Sequence, residues 1–129
     1  MQVLNKENIR SVPLELGIYR IWAIDKNKKP LAVNRFSGKD KNGLLYIGKT
    51  EKQTLRKRLY QFASSANLEM KTHNHSGGMK YFTLEVIQKK LNKYLLWFDY
   101  EETERPKERE TELLKDYSKI FGEYPPLNK

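Results

Sequence analysis

The chain has 129 residues, a formal net charge of +9, no cysteine and only two histidines, His73 and His75. That length suffices for one domain with its own core, and the missing cysteines exclude both a disulfide framework and a Cys/His zinc site, so any metal centre needs oxygen ligands. The polar N-terminus, MQVLNKENIRS, has no leader-like apolar run, and LLYIG and YLLWF are far shorter than a membrane span, so a cytoplasmic protein making no membrane contact is expected.

The charge is uneven: residues 1–98 carry 19 Lys/Arg against 7 Asp/Glu, a net +12, whereas residues 99–129 carry 6 against 9, a net −3. A basic surface draws polyanions by counterion release and long-range steering, although such charge also serves solubility alone. Along the chain, LGIYRIWAI at 16–24 is apolar on both period-2 faces, as an interior strand is, and GLLYIG at 43–48 reads as a second strand. The polar, basic stretch between them, 25–42, is long for a hairpin connection. Leu55, Leu59, Phe62, Ala63 and Ala66 recur at helical spacing and predict a helix over about 52–67. THNHSGG is a turn-rich loop in which Ser76 is a candidate cap for a helix beginning near Gly77, with Met79, Phe82, Val86 and Lys90 on one side. Residues 93–101 predict a strand, and a helix follows over about 104–121, opened by Pro106 and stopped by Gly122, with an extended tail beyond it. The expected fold is α+β, a single domain with a small mixed sheet flanked by helices in the order β-β-α-α-β-α.

Hydrolysis of a phosphodiester needs a water nucleophile, a group to take its proton and positive charge on the phosphoryl oxygens. At about 100° per residue, Glu110 falls on the apolar stripe of the last helix with Leu113, Leu114, Tyr117 and Phe121, while Glu108 and Glu112 point elsewhere. A carboxylate there must be paired, with a core Arg or Tyr for example, or hold a metal. In the first helix Arg58 lies at the stripe margin, suited to a phosphate or to a salt bridge, while Lys57 points to solvent.

These pieces resemble one family. Gly17-Ile18-Tyr19 and Tyr46-Ile47-Gly48 on successive strands, Leu55-x-x-Arg58 on the next helix, Glu110-x-x-Leu113-Leu114-x-x-Tyr117, then Phe121-Gly122 and Pro125-Pro126-Leu127-Asn128 are similar to the signature elements of GIY-YIG nucleases over residues 13–128. The resemblance implies a metal-dependent endonuclease cutting phosphodiester bonds in DNA, with Glu110 binding one Mg²⁺ or Mn²⁺ and Arg58 contacting the scissile phosphate. Tyr19 would act as base, Tyr46 would position water or phosphate, Gly48 would permit close backbone approach, and Asn128 would orient its neighbours from the tail. Lys49, Arg56 and Lys57 are the remaining candidate substrate-binding residues. A tyrosine, with a pKa of about 10, serves as base only where nearby positive charge favours the phenolate.

The chain departs from the family at Phe62, four residues after Arg58, where many members carry His or Tyr. His75, in a segment similar to a His-Gly-Gly run of stand-alone members, is a candidate replacement. The gap from Gly48 to Arg58 also exceeds the shortest family spacing by two residues, placed in the loop before the helix. The competing reading is a non-catalytic DNA- or RNA-binding module on the same fold. The expected partner is DNA, duplex or branched, with RNA open. Specificity is expected from the basic 25–42 stretch, a homodimer or a protein partner.

Overall fold

The computed structural model describes residues 1–66 and 94–128. Its elements are β1 (Gln2–Val3), α1 (Lys6–Ile9), β2 (Gly17–Asp25), β3 (Val33–Arg35), β4 (Gly38–Asp40), β5 (Leu44–Lys49), α2 (Leu55–Ser65), β6 (Tyr94–Glu102) and α3 (Pro106–Phe121). The fold is α+β, and the three long strands and two long helices stand close to where hydrophobic periodicity puts them. The helix expected from about Gly77 lies outside the described residues.

One correction concerns the sheet. Among the described residues it is not mixed: its four strands, in the order β1-β6-β2-β5, pair antiparallel throughout. The reason lies in the stretch 25–42, which turns the chain back on itself instead of crossing over, so β5 returns alongside β2 in the opposite direction. That stretch carries its own hairpin, β3–β4. The elements β1 and α1 also add to the expected order.

β2 is the central strand, and its pairing register sorts the side chains. Tyr19 lies opposite Gly48 and Tyr100, and Ile21 opposite Tyr46 and Phe98, so these residues share one face. That face packs on Leu55, Leu59, Phe62 and Ala63 of α2 to form the main core. On the other face Trp22, Leu44 and Ile47 meet Leu113, Leu114, Tyr117 and Phe121 of α3. The sheet is thus covered on both sides, as the two-sided apolar pattern of 16–24 requires.

Each helix has the end chemistry that its sequence supplies. Thr54 caps α2 by accepting from the Lys57 amide, at 3.3 Å. Pro106 occupies the first turn of α3, and Gly122 closes it at φ 77°, left-handed backbone that glycine adopts without a Cβ penalty. Beyond Gly122 the tail is a turn, not the extended run expected from its prolines. The Asn128 amide donates to the Pro125 carbonyl at 3.0 Å, and the Leu127 amide donates to the Leu45 carbonyl at 2.8 Å. Pro126 presets the first turn residue, and burial of Leu127 in the core holds the turn in place. Among the described residues no helix is long and apolar enough to cross a membrane.

Candidate active site

The C-terminal end of the edge strand β5 opens into a cleft of about 400 Å³ lined by Tyr46, Lys49, Glu51, Lys52, Gln53, Arg58 and Glu110. Four residues singled out from the sequence, Tyr46, Lys49, Arg58 and Glu110, therefore converge from three elements. The convergence follows from β5 being an edge strand. Tyr46 belongs to its α2 side, α3 brings Glu110 from the other side, and the strand end between them carries Lys49.

Glu110 is half-buried and makes no hydrogen bond or ion pair with any described residue. Its carboxyl is pushed above the ordinary glutamate value, chiefly by desolvation; the Lys49 charge opposes this and the Glu51 charge adds to it. The alternative of a carboxylate neutralised by a core Arg or Tyr is thus absent among the described residues. The preceding residue places it. Arg109 donates from Nε to Glu101 at 2.5 Å and from Nη2 at 3.2 Å, clamping the start of α3 to the end of β6 and holding the Glu101 carboxyl below its usual value. Arg109 also pairs with Glu112, which is 62% exposed and faces away from the cleft.

Arg58 is oriented along its own helix. Its Nη1 donates to Oε1 of buried Gln61 at 2.7 Å, and its charge stands close enough to the Tyr19 hydroxyl to be felt there. Sequence reasoning missed Gln61, although its i+3 spacing from Arg58 and its place among apolar α2 residues were visible signals. Glu51, Lys52 and Gln53 were also missed, because their short loop has no periodicity. Lys49 pairs with Glu51, whose carboxyl the ammonium holds below its ordinary value.

Tyr19 is 0% exposed, and burial pushes its hydroxyl far above the usual tyrosine value; the Tyr46 hydroxyl adds to the rise and Arg58 opposes it. It does not line the cleft, whereas Tyr46 does. The rings of Tyr19 and Tyr46 stand 6.2 Å apart, and Phe62, at the departure from the family pattern, packs its ring 5.5 Å from Tyr46. Gly48 is the cross-strand partner of Tyr19, and its close approach is to that ring: a Cβ added there would lie 2.3 Å from Cζ and 2.5 Å from the hydroxyl. The two tripeptides are therefore coupled, the glycine of the second making room for the tyrosine of the first.

Asn128 lies along the free edge of β5. Its Oδ1 accepts from the Ile47 amide at 3.0 Å and its Nδ2 donates to the Ile47 carbonyl at 2.9 Å. One side chain thereby imitates a neighbouring strand between Tyr46 and Gly48. Arg56 and Lys57 stand apart from the cleft lining. Arg56 donates to the Val12 carbonyl at 2.8 Å, tying α2 to the segment before β2, and Lys57 is exposed. His75 lies outside the described residues.

Comparison of the chain with protein-family models, curated proteins and solved structures finds no match. Among the described residues no three His, Asp or Glu side chains gather as a metal cage. Glu110, with Glu51 nearby, still fits a small hard cation, since Mg²⁺ commonly takes one or two carboxylates and fills its shell with water and phosphate oxygens.

Proposed function

We propose that this chain is a metal-dependent endonuclease of the GIY-YIG type that hydrolyses phosphodiester bonds in DNA. The observation that carries the reading is the half-buried carboxylate of Glu110, without a partner among the described residues, in one cleft with Tyr46, Lys49 and Arg58. A carboxylate left partly desolvated without a partner costs stability, and a site that takes up a cation on binding substrate accounts for its retention.

Glu110 would hold one Mg²⁺ or Mn²⁺, which supplies positive charge to the phosphoryl oxygens. Arg58, fixed by Gln61, pairs with the same phosphate and stabilises the charge that grows as water attacks. The oxygen of water forms a bond to phosphorus, its proton passes to a tyrosinate, and the bond from phosphorus to the leaving sugar oxygen breaks; that oxygen is protonated from solvent. We assign the proton acceptor to Tyr46, because its side chain lines the cleft together with Arg58 and Glu110, within reach of a water bound there. The full burial of Tyr19 works against a phenolate there. Asn128 keeps the Tyr46–Gly48 backbone straight from the edge.

The test is incubation of the purified protein with end-labelled duplex DNA, branched DNA and RNA, with Mg²⁺ or Mn²⁺ and with a chelator. Metal-dependent cuts in DNA are expected. Salt-sensitive binding to all three without cleavage of any would replace the reading with that of a non-catalytic nucleic-acid module.

A further inference from the structure

The hairpin β3–β4 takes no part in the cleft, yet its tip is firmly held. There Phe36 is 86% exposed, the largest exposure among the big apolar side chains of the described residues. The backbone beneath it is pinned. The Phe36 amide donates to Oε2 of Glu123 at 2.7 Å, the Ser37 amide donates to the Phe121 carbonyl at 2.8 Å, and Nη2 of Arg35 donates to the Tyr124 carbonyl at 2.7 Å. Gly122 lies so close below that a Cβ there would stand 2.9 Å from Cδ1 of Phe36. The ring is thus presented outward on a rigid support, and the fold gains nothing from its exposure.

The surroundings specify the partner. Lys26, Lys28, Lys29, Lys39 and Lys41 are all exposed, and none forms an ion pair with a described residue. The one acid of the hairpin, Asp40, is turned inward to accept from the Tyr117 hydroxyl at 2.7 Å. Beneath the hairpin lies a second cleft of about 510 Å³, bordered by Arg35, Tyr124 and Asn128. Nε of Arg35 is buried there and has no hydrogen-bond partner. Asn128, on the border of this second cleft, bonds through its amide to Ile47, the residue after Tyr46 of the first.

We propose that the β3–β4 hairpin is a second nucleic-acid contact, in which Phe36 stacks on a nucleobase while Lys39 and Lys41 of the hairpin and the lysines of the 26–29 turn neutralise phosphates along the same strand. Every base offers a π-face, and an exposed aromatic ring combined with positive charge that tracks the backbone is a sequence-tolerant platform for it. The free lysines favour a polyanion over an apolar protein or membrane surface. The inference rests on the nucleic-acid reading of the first cleft. It also fixes a distance: from Glu110 to Phe121 α3 rises about 1.5 Å per residue, roughly 16 Å in all, or on the order of five nucleotide steps at about 3.4 Å each.

The experiment measures binding of labelled single strands and duplexes by fluorescence anisotropy, with chelator present to block cleavage, for the wild type, Phe36→Ala, Phe36→Leu and Phe36→Trp. Substrates extend two to ten nucleotides to either side of the mapped cut. Wild-type affinity should step up once one arm exceeds about five nucleotides. Phe36→Ala and Phe36→Leu should lose about tenfold or more and with it the step, whereas Phe36→Trp should keep both and show indole quenching. All four proteins should melt alike, since the ring is exposed. Wild-type binding to nucleic acid with Phe36→Ala equal to it at every length overturns the hairpin proposal and leaves the nuclease reading intact. Absence of any wild-type binding overturns both, and self-association lost in Phe36→Ala reassigns the tip to a contact between copies of the chain.

Discussion

Gly48→Ala is the most economical probe of the coupling between the two tripeptides. An added Cβ would stand 2.3 Å from Cζ of Tyr19, whereas ordinary contact begins near 3.4 Å, so the ring or the strand must move by about 1.1 Å. Tyr19 is fully enclosed by the α2 core, which resists such a shift, and overpacking of this kind costs about 1–3 kcal/mol. A domain of this size should then melt roughly 3–10 °C lower. A displaced Tyr19 ring also presses on the Tyr46 ring beside it, and misplacement of about 1 Å at a reacting centre lowers turnover on the order of a hundredfold. The assays are thermal melts and single-turnover cleavage for Gly48→Ala, Tyr19→Leu and the double variant. With the smaller leucine side chain in place of Tyr19 the added methyl has room, so its stability cost should largely disappear. Equal costs of Gly48→Ala in both backgrounds would refute the cross-strand packing argument.

The two tyrosines should separate: Tyr46→Phe is expected to lower turnover roughly 10²–10⁴-fold, while Tyr19→Phe, buried away from the cleft, acts more weakly; single-turnover rates giving the reverse order would return the base role to Tyr19. Asn128→Ala removes two hydrogen bonds to Ile47 and should cost about 1–3 kcal/mol in urea denaturation, with Asn128→Asp, which keeps the acceptor alone, losing about half as much. Burial raises the hydroxyls of Tyr19 and Tyr117, so the folded state holds these protons more tightly than the unfolded chain. Their contribution is complete below about pH 10 and is lost as pH rises beyond it; urea midpoints should fall steeply above about pH 10, and midpoints flat to about pH 12 would contradict this.

The fold was legible where the hydrophobic pattern is long. Nine residues of β2, eleven of α2 and sixteen of α3 each repeat their period often enough to declare the element and its buried face. β1, α1 and the β3–β4 hairpin span two to four residues each and show no period. Distant partners hold the hairpin, through Asp40 on Tyr117 and Arg35 on Glu123, and local sequence cannot announce such contacts. The site divides in the same way. Angular position on a helix distinguished Glu110 from Glu112 and Arg58 from Lys57. It could not show that Arg56 spends its guanidinium on the Val12 carbonyl, that Arg109 clamps Glu101, or that Tyr19 is sealed while Tyr46 borders the cleft, because each depends on which element packs alongside.

The central claim is that Glu110 is the carboxylate of a metal-dependent phosphodiesterase, and its most direct test is Glu110→Gln beside Glu112→Gln, with Mn²⁺ titration by calorimetry, DNA cleavage and melts on each. Glu110→Gln should lose metal binding and lower cleavage by at least roughly 10²–10³-fold. Because the folded protein disfavours the ionised carboxyl, it should melt at or above the wild type at neutral pH, a difference that fades below about pH 4 where wild-type Glu110 is protonated in both states. Glu112→Gln, which loses only an exposed pair with Arg109, should match the wild type in metal affinity and cleavage. A Glu110→Gln protein that binds Mn²⁺ and cuts DNA as the wild type does would contradict the account.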